Sequence, residues 1–467
     1  MLTIIVLLLI VAGLVLASLA GISVLWPLSG GLIALCCLCL YHKIELPVIG
    51  RMLLLDMKLP LNTLFVFLSI GAVTASWRAS GTIGMIIAYG AKLINPKMFV
   101  PACFWLSAGV SMLLGTAFGT AGTVGLILMV MARAGGINTT MAAGAIISGI
   151  FVGDVASPMS SSTNLIAIMT KCSIHKLVRR LLKSVVLPFI ITSLLFLLLS
   201  HQEAVGLESN VLSEEMGQAF VMNLWVLLPV IVVLALMLCR VRVSRAITVS
   251  CLTASLVAWL VQGQAPAVVL KTLVLGYTMP EGASLKAIMD GGGIMSMVKS
   301  EMILILSAMY SGLFKGTGML APIRQLVRRV AEKAGRTTGV TMAAFLTCLF
   351  APSQVFAVMM TNQFAASLFD VKEEAERENL GYGIASTAML FSPLVPWNIC
   401  SMVPAAMLGV GQGYIPVTFY PMTFIACYAL FGWLSWRKRG RPILPPEEKT
   451  VIAVANEAAA NEGEKQC

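Results

Sequence analysis

Uncharged apolar runs of roughly 17 to 25 residues recur along nearly the whole chain, beginning with MLTIIVLLLIVAGLVLASLAG at residues 1–21. A run of that length crosses the hydrocarbon as a helix, whereas a membrane barrel strand reads as about ten residues of alternating polarity. Inside lipid every backbone polar group must be paired within the protein, so helices and closed barrels are the only options. Continuous runs select helices. Charged residues make up 11% of the chain, against about 25% in a soluble domain. The sequence therefore predicts an all-α polytopic membrane protein. The opening run lacks a basic flank and is followed by many others, so it reads as a first membrane helix rather than a secretory leader.

The net charge of +11 does not point to nucleic acid. Its basic residues are dispersed between apolar runs, at Lys171 to Lys183, Arg240 to Arg245, Arg324 to Arg336 and Arg437 to Arg441. By the positive-inside rule these segments face the cytoplasm, and the acidic segment 201–217 faces outward. The tail after Arg441 gains Glu, Ala and Asn and reads as a disordered cytoplasmic end. Eleven cysteines, mostly inside apolar runs and without metal spacing, read as small apolar fillers. His42, His175 and His201 flank the runs, which argues against a histidine proton relay. With no phosphate-binding loop and no nucleophile elbow, the chain reads as a carrier rather than an enzyme, driven by an ion gradient and without a cofactor.

The polar interruptions repeat. SGTIGM (Ser80 to Met85), GTAFGTAG (Gly115 to Gly122) and SPMSSSTN (Ser157 to Asn164) are followed in the same order by KGTGM (Lys315 to Met319), APSQVF (Ala351 to Phe356) and SPLVPWN (Ser392 to Asn398). The offsets are 235 for Gly81 and Gly316, 237 for Thr116 and Ser353, 235 for Ser157 and Ser392, and 234 for Asn164 and Asn398. Two copies of one unit with opposite topology are expected, as in many secondary transporters. The organisation then reads as N-terminal membrane helices over 1–58, a first repeat over 59–200, the external loop 201–217, linking helices over 218–290, a second repeat over 291–435 and the tail 436–467. About 10 to 14 membrane segments are expected, because broken helices defeat hydropathy counting.

Each break frees backbone groups that lipid cannot satisfy, so the breaks should point inward around a central site. They offer what a cation needs: the hydroxyls of Thr116, Thr120, Ser157, Ser160 and Thr163, the amide of Asn164, and one carboxylate, Asp154. Gln354, Ser392 and Asn398 are the second-half counterparts. A carboxylate at membrane depth is a functional candidate; the alternative is a helix end at the aqueous interface, since the short flanking runs allow a re-entrant hairpin ending near either depth. Glu301, Arg78 and Lys315 are further pathway charges, the two cations also being placed to snorkel at helix ends. Trp397 could face substrate or pack between helices.

The blocks GTAFGTAGTVG, GDVASPMSSSTNL, GGGIMSMVKSEMILILSAMYSGLFKGTGML and SPLVPWNICSMVPAAMLGV resemble those of the NhaC-type sodium/proton antiporter family, within the ion-transporter superfamily, over roughly residues 60 to 435. The resemblance implies two inverted-topology repeats with broken or re-entrant helices around a central site in a bacterial inner membrane. It implies Na+ and H+ as transported ions bound at Asp154, and leaves room for a homodimer. Two departures stand out. The family commonly carries an acid where this chain has Ser161, and an acidic pair where it has Ala385-Ser386. Those losses keep a coupled carboxylate or amino acid exchanger open beside sodium/proton exchange.

Overall fold

The computed structural model describes residues 22–55, 61–90, 96–200, 217–239, 241, 243–279, 286–317, 321–351 and 353–439, with scattered positions between 6 and 17. Most of the opening apolar run, segment 201–216 and the tail after Arg441 lie outside the described residues. Helices α1 (Leu25–Tyr41), α2 (Leu46–Leu55), α3 (Leu61–Ala79) and α4 (Thr82–Gly90) precede the long α5 (Pro96–Leu114). The chain then breaks, restarts as α6 (Ala117–Thr120), widens into a π turn at Ala121–Gly125 and continues as α7 (Leu126–Ala134). After α8 (Thr139–Ala156), α9 (Ser161–Thr170) and α10 (Ile174–Ser200) comes a middle set: α11 (Leu228–Leu238), α12 (Val243–Leu260), α13 (Pro266–Leu275), α14 (Lys286–Met289), α15 (Ile294–Thr317) and α16 (Ala321–Ala334). The last set is α17 (Arg336–Phe350), α18 (Gln354–Ala365), α19 (Glu374–Phe391), α20 (Ile399–Leu408) and α21 (Phe419–Arg439). Among the described residues the only strand-like pairing is an isolated bridge between Tyr277 and Gly291.

Among the described residues, four runs are long and apolar enough to cross a membrane: Ala117–Ala134, Thr139–Thr170, Ile174–Ser200 and Ile294–Phe314. A fifth, Glu374–Leu394 with Ile399–Leu408, is bent by 51° at its break. Other apolar helices are 10 to 17 residues long, short of the about 20 that an upright span requires. The chain is an integral membrane protein whose spans are repeatedly interrupted.

The recurrence seen in the sequence is also a recurrence of element boundaries. α8 begins at Thr139 and α19 at Glu374, 235 residues on; α6 and α18 begin 237 apart, α9 and α20 begin 238 apart. The two broken pairs lie side by side and run in opposite directions. At one end, Thr170 and Ile166 of α9 touch Gly381 near the start of α19, and Lys176 of α10 pairs with Glu374 at 2.7 Å. At the other, Arg133 at the end of α7, just before α8, donates to the carbonyls of Leu408 and Gly409 where α20 ends, both at 2.7 Å. Exposed pairs such as Lys176–Glu374 contribute under about 1 kcal/mol, so they mark this alignment rather than enforce it.

What holds α8 in place is its seam with α5, the most extensive helix pair among the described residues. Gly149, Gly153 and Ser157 recur every four residues and so share one helix face. A methyl group on Gly149 would lie 2.5 Å from the Phe104 carbonyl, and one on Gly153 would strike the backbone of Ser111 and Met112. Two hydroxyls stitch the same seam: Ser111 donates to the Ile150 carbonyl and Ser157 to the Met112 carbonyl at 2.9 Å. In lipid, where burial gives helices no reason to associate, close backbone approach and such bonds supply the attraction. Beside the seam, Phe104 packs with Phe189 and Phe196 at centroid distances of 4.9 and 5.6 Å, which fixes α10 against α5.

Candidate functional site

The break between α8 and α9 follows from Pro158. It removes a backbone donor and forces Ser157 into an extended conformation (φ −78°, ψ 134°). α8 and α9 continue as one interrupted run, Thr139–Thr170, so the re-entrant hairpin that the sequence allowed is not formed. Asp154, in the last turn of α8, is buried at 5% exposure rather than lying at an aqueous surface. Pro158, Met159 and Ser161, in the break that follows, are exposed.

Helices that restart inside a membrane protein leave donors that no water can satisfy, and the hydroxyls and amides of the breaks are spent there first. Thr116 caps α6, accepting from the Gly119 amide at 3.3 Å, and Ser160 caps α9, accepting from the Thr163 amide at 3.2 Å. Ser353 and Asn398 do the same for α18 and α20, accepting from Phe356 N at 3.3 Å and Cys400 N at 2.9 Å. Other polar side chains close the backbone behind them. Thr120 donates to the Thr116 carbonyl, Asn164 to the Ser160 carbonyl and Ser392 to the Ala388 carbonyl. Thr163 donates to the carbonyls of Asp154 and Val155 at 3.1 and 3.0 Å, and so pins the turn that carries the carboxylate. Asn398 reaches across to the Ala351 carbonyl at 3.0 Å and Trp397 to the Leu349 carbonyl at 2.9 Å. Trp397 is therefore a packing residue between the two second-half breaks.

What remains is a smaller group around Asp154. Its Oδ1 accepts from Ser160 Oγ at 3.3 Å and Ser162 Oγ at 3.5 Å, and its Oδ2 accepts from Gln354 Nε2 at 3.2 Å. Gln354 is the first residue of α18 and uses its whole amide here: Nε2 also donates to the Met389 carbonyl at 3.3 Å, and Oε1 accepts from Ser162 Oγ at 2.9 Å. Cys400, in the first turn of α20, is within electrostatic reach of the same carboxylate. Residues from α8, α9 and α18 thus meet at one buried carboxylate, with the Met389 carbonyl of α19 one hydrogen bond away.

Of the residues expected from sequence, the structure joins Ser160 and Gln354 to Asp154. Thr116, Thr120, Ser157, Asn164, Ser392 and Asn398 serve the surrounding backbone instead. Ser162 was not singled out, although the SSS run contains it; which serine of the three faces inward depends on where α9 restarts. Ser161 is exposed. Arg78 is buried at 7% exposure and so does not snorkel; it donates to the Thr74 carbonyl at 2.9 Å, and the charges nearest it are Arg133 and Asp290, with no bond to Asp154. Glu301 lies on α15 with Oε1 buried and without a hydrogen-bond partner among the described residues. The Lys315 side chain lies outside the described residues.

Comparison with known proteins places this arrangement. Over 81% of its length the chain is 26% identical to the Na(+)/H(+) antiporter NhaC of Alkalihalophilus pseudofirmus, covering 83% of that protein. It is also 26% identical to the malate-2H(+)/Na(+)-lactate antiporter of Bacillus subtilis, over 80% of this chain and 81% of that one. It is 24% identical to the arginine/ornithine antiporter ArcD of Halobacterium salinarum, over 84% and 83%. The model of the Na+/H+ antiporter family matches residues 149–436, a stretch that holds both breaks, at 157–160 and 392–398, with Asp154 and every group bonded to it, and the chain belongs to that family.

Proposed function

We propose that this protein is a secondary antiporter of a bacterial inner membrane, exchanging cytoplasmic sodium for external protons at a site centred on Asp154. The observation that carries this reading is a buried carboxylate held by neutral donors, Ser160 and Gln354, with Ser162 sharing its one hydrogen between the carboxylate and Gln354, and with no cation bonded to it among the described residues. Such a charge is costly in the membrane unless a proton or a metal ion neutralises it. A hydroxyl turns about its C–O bond, so Ser160 and Ser162 can point hydrogens at a bare carboxylate or lone pairs at a sodium ion. With the Gln354 oxygen and the Met389 carbonyl alongside, the group offers the all-oxygen shell that a hard cation requires. Proton and sodium then compete for one carboxylate, and exchange follows if the site opens to one side at a time. The repeated element boundaries and the opposed directions of the two broken pairs support an inverted repeat, which would supply the two symmetry-related openings.

A second reading has its own support. Relatives at 26% and 24% identity are named for exchange of malate, lactate, arginine and ornithine, and Asp154 is the one acidic side chain in the hydrogen-bonded cluster among the described residues. The deciding experiment is proton flux in proteoliposomes holding a pH gradient, with sodium, lithium or potassium added first and a panel of carboxylates and amino acids second. Collapse of the gradient by sodium alone supports the antiporter. A gradient that yields only to an organic solute replaces it with metabolite exchange.

Two substitutions probe the shell by sodium half-saturation in the same assay. Gln354→Ala removes a donor to a charged group, a loss of about 1.5–3 kcal/mol, and should weaken sodium binding about tenfold or more. Ser162→Ala should weaken it about fivefold, while Ser161→Ala leaves it unchanged because Ser161 faces away from the carboxylate. Equal effects at the two serines would contradict the arrangement.

A further inference from the structure

We propose that the cavity between the start of α10, the starts of α17 and α19 and the end of α21 binds an anionic glycerophospholipid of the surrounding bilayer. It has a volume of about 650 Å³. Its rim carries Arg180, Lys183 and Arg336. Arg336 is matched by Glu376, whose Oε2 lies 2.7 Å from its Nη1. The other two positive charges are not matched. Arg180 stacks its guanidinium 4.1 Å from the centre of the Tyr382 ring and donates to Asn379 Oδ1 at 2.7 Å, both neutral partners. Lys183 makes no ion pair or hydrogen bond among the described residues, and its side chain is exposed. Two uncompensated cations held beside an aromatic floor await an anion.

The rest of the cavity says which kind of anion. Beside the cations the lining has an apolar part, with Phe424 buried and Leu187 and Phe431 exposed at 43% and 57%. A soluble phosphate would use only the rim. A phospholipid uses both levels: its phosphodiester meets Arg180 and Lys183 while an acyl chain lies along Leu187 and Phe431. The rim belongs to the Lys171–Lys183 basic segment, which by the positive-inside rule lies at the cytoplasmic interface, where anionic headgroups concentrate. Arg180 matters twice, since its planar fork can stack on Tyr382 and still present N–H groups to phosphate.

The test is titration of the purified full-length protein in a neutral detergent with phosphatidylglycerol, read by the thermal midpoint and by lipid adducts in native mass spectrometry. Phosphatidylglycerol should raise the midpoint and stay bound, whereas phosphatidylcholine with the same acyl chains should do neither. Lys183→Gln should weaken phosphatidylglycerol binding about fivefold without changing the elution profile, and Arg180→Gln should weaken it further. Because Arg180→Gln also removes the stack on Tyr382, Lys183→Gln carries the test if that variant misfolds. Equal stabilisation by phosphatidylcholine, undiminished binding by Lys183→Gln, or full replacement of the lipid by inorganic phosphate would each overturn the proposal. So would a lipid-free dimer that shields Lys183 from an amine-acylating reagent, since a second copy would then be the occupant.

Discussion

Asp154→Asn abolishes coupled exchange: in proteoliposomes the sodium-driven proton flux falls at least about 100-fold while the protein elutes and melts as the wild type does. The loss follows from charge. Removing one partner of a buried charge pair costs about 3–5 kcal/mol, and each 1.36 kcal/mol is tenfold, so a cation whose one acidic ligand is gone has little hold on the site. Survival of the fold follows from the hydrogen bonds. The new side chain keeps an oxygen for Ser160 and Ser162, and Gln354 can turn its amide so that its oxygen accepts from the introduced NH₂, at the loss of its one bond to the Met389 carbonyl. Ser162 can then accept from Gln354 rather than donate to it. Proton-driven sodium uptake and sodium-driven proton release should vanish together, because one carboxylate serves both ions. Flux above a tenth of the wild-type value in either direction would remove Asp154 from the centre of the mechanism.

The position of that carboxylate was legible in the sequence for a physical reason: an acid beside a proline in an apolar run has few places to be. Gln354 was legible through the repeat, since it opens the second-half break. What the sequence concealed was the division of labour among the other polar residues. Thr116, Ser160 and Asn398 look alike as candidate ligands, but each first caps a helix that restarts after a break. Ser160 alone among them also reaches Asp154. Capping depends on which residue begins the new helix, and boundaries of that kind shift with tertiary packing rather than with composition. The same dependence hid Ser162, which faces Asp154 only because α9 starts at Ser161. Arg78 was misplaced by the opposite error. Its nearness to a helix end suggested the interface, whereas the bonds of Gln262 and Gln264 to the carbonyls of Ser80 and Ala79 show that other chain segments cover that end.

The site also depends on a contact that carries no charge. Gly153→Ala is expected to destabilise the protein by about 1–3 kcal/mol, lowering its thermal midpoint in detergent by several degrees and its flux with it. Gly153 precedes Asp154, and the added methyl would have to occupy the backbone of Ser111 and Met112 on α5. Backbone cannot swing aside as a side chain can, so α8 must move away from α5. That movement breaks the Ser157 bond to the Met112 carbonyl and shifts the turn that presents the carboxylate to Ser160 and Gln354. Gly109→Ala on α5 is the matched control, because a methyl there meets nothing within 4 Å, and alanine favours a helix by about 1 kcal/mol over glycine. Gly109→Ala should therefore keep or raise the midpoint. If the two variants melt alike, the α5–α8 seam does not position Asp154. If Gly153→Ala melts normally but transports poorly, the seam acts on the geometry of the site rather than on the stability of the fold.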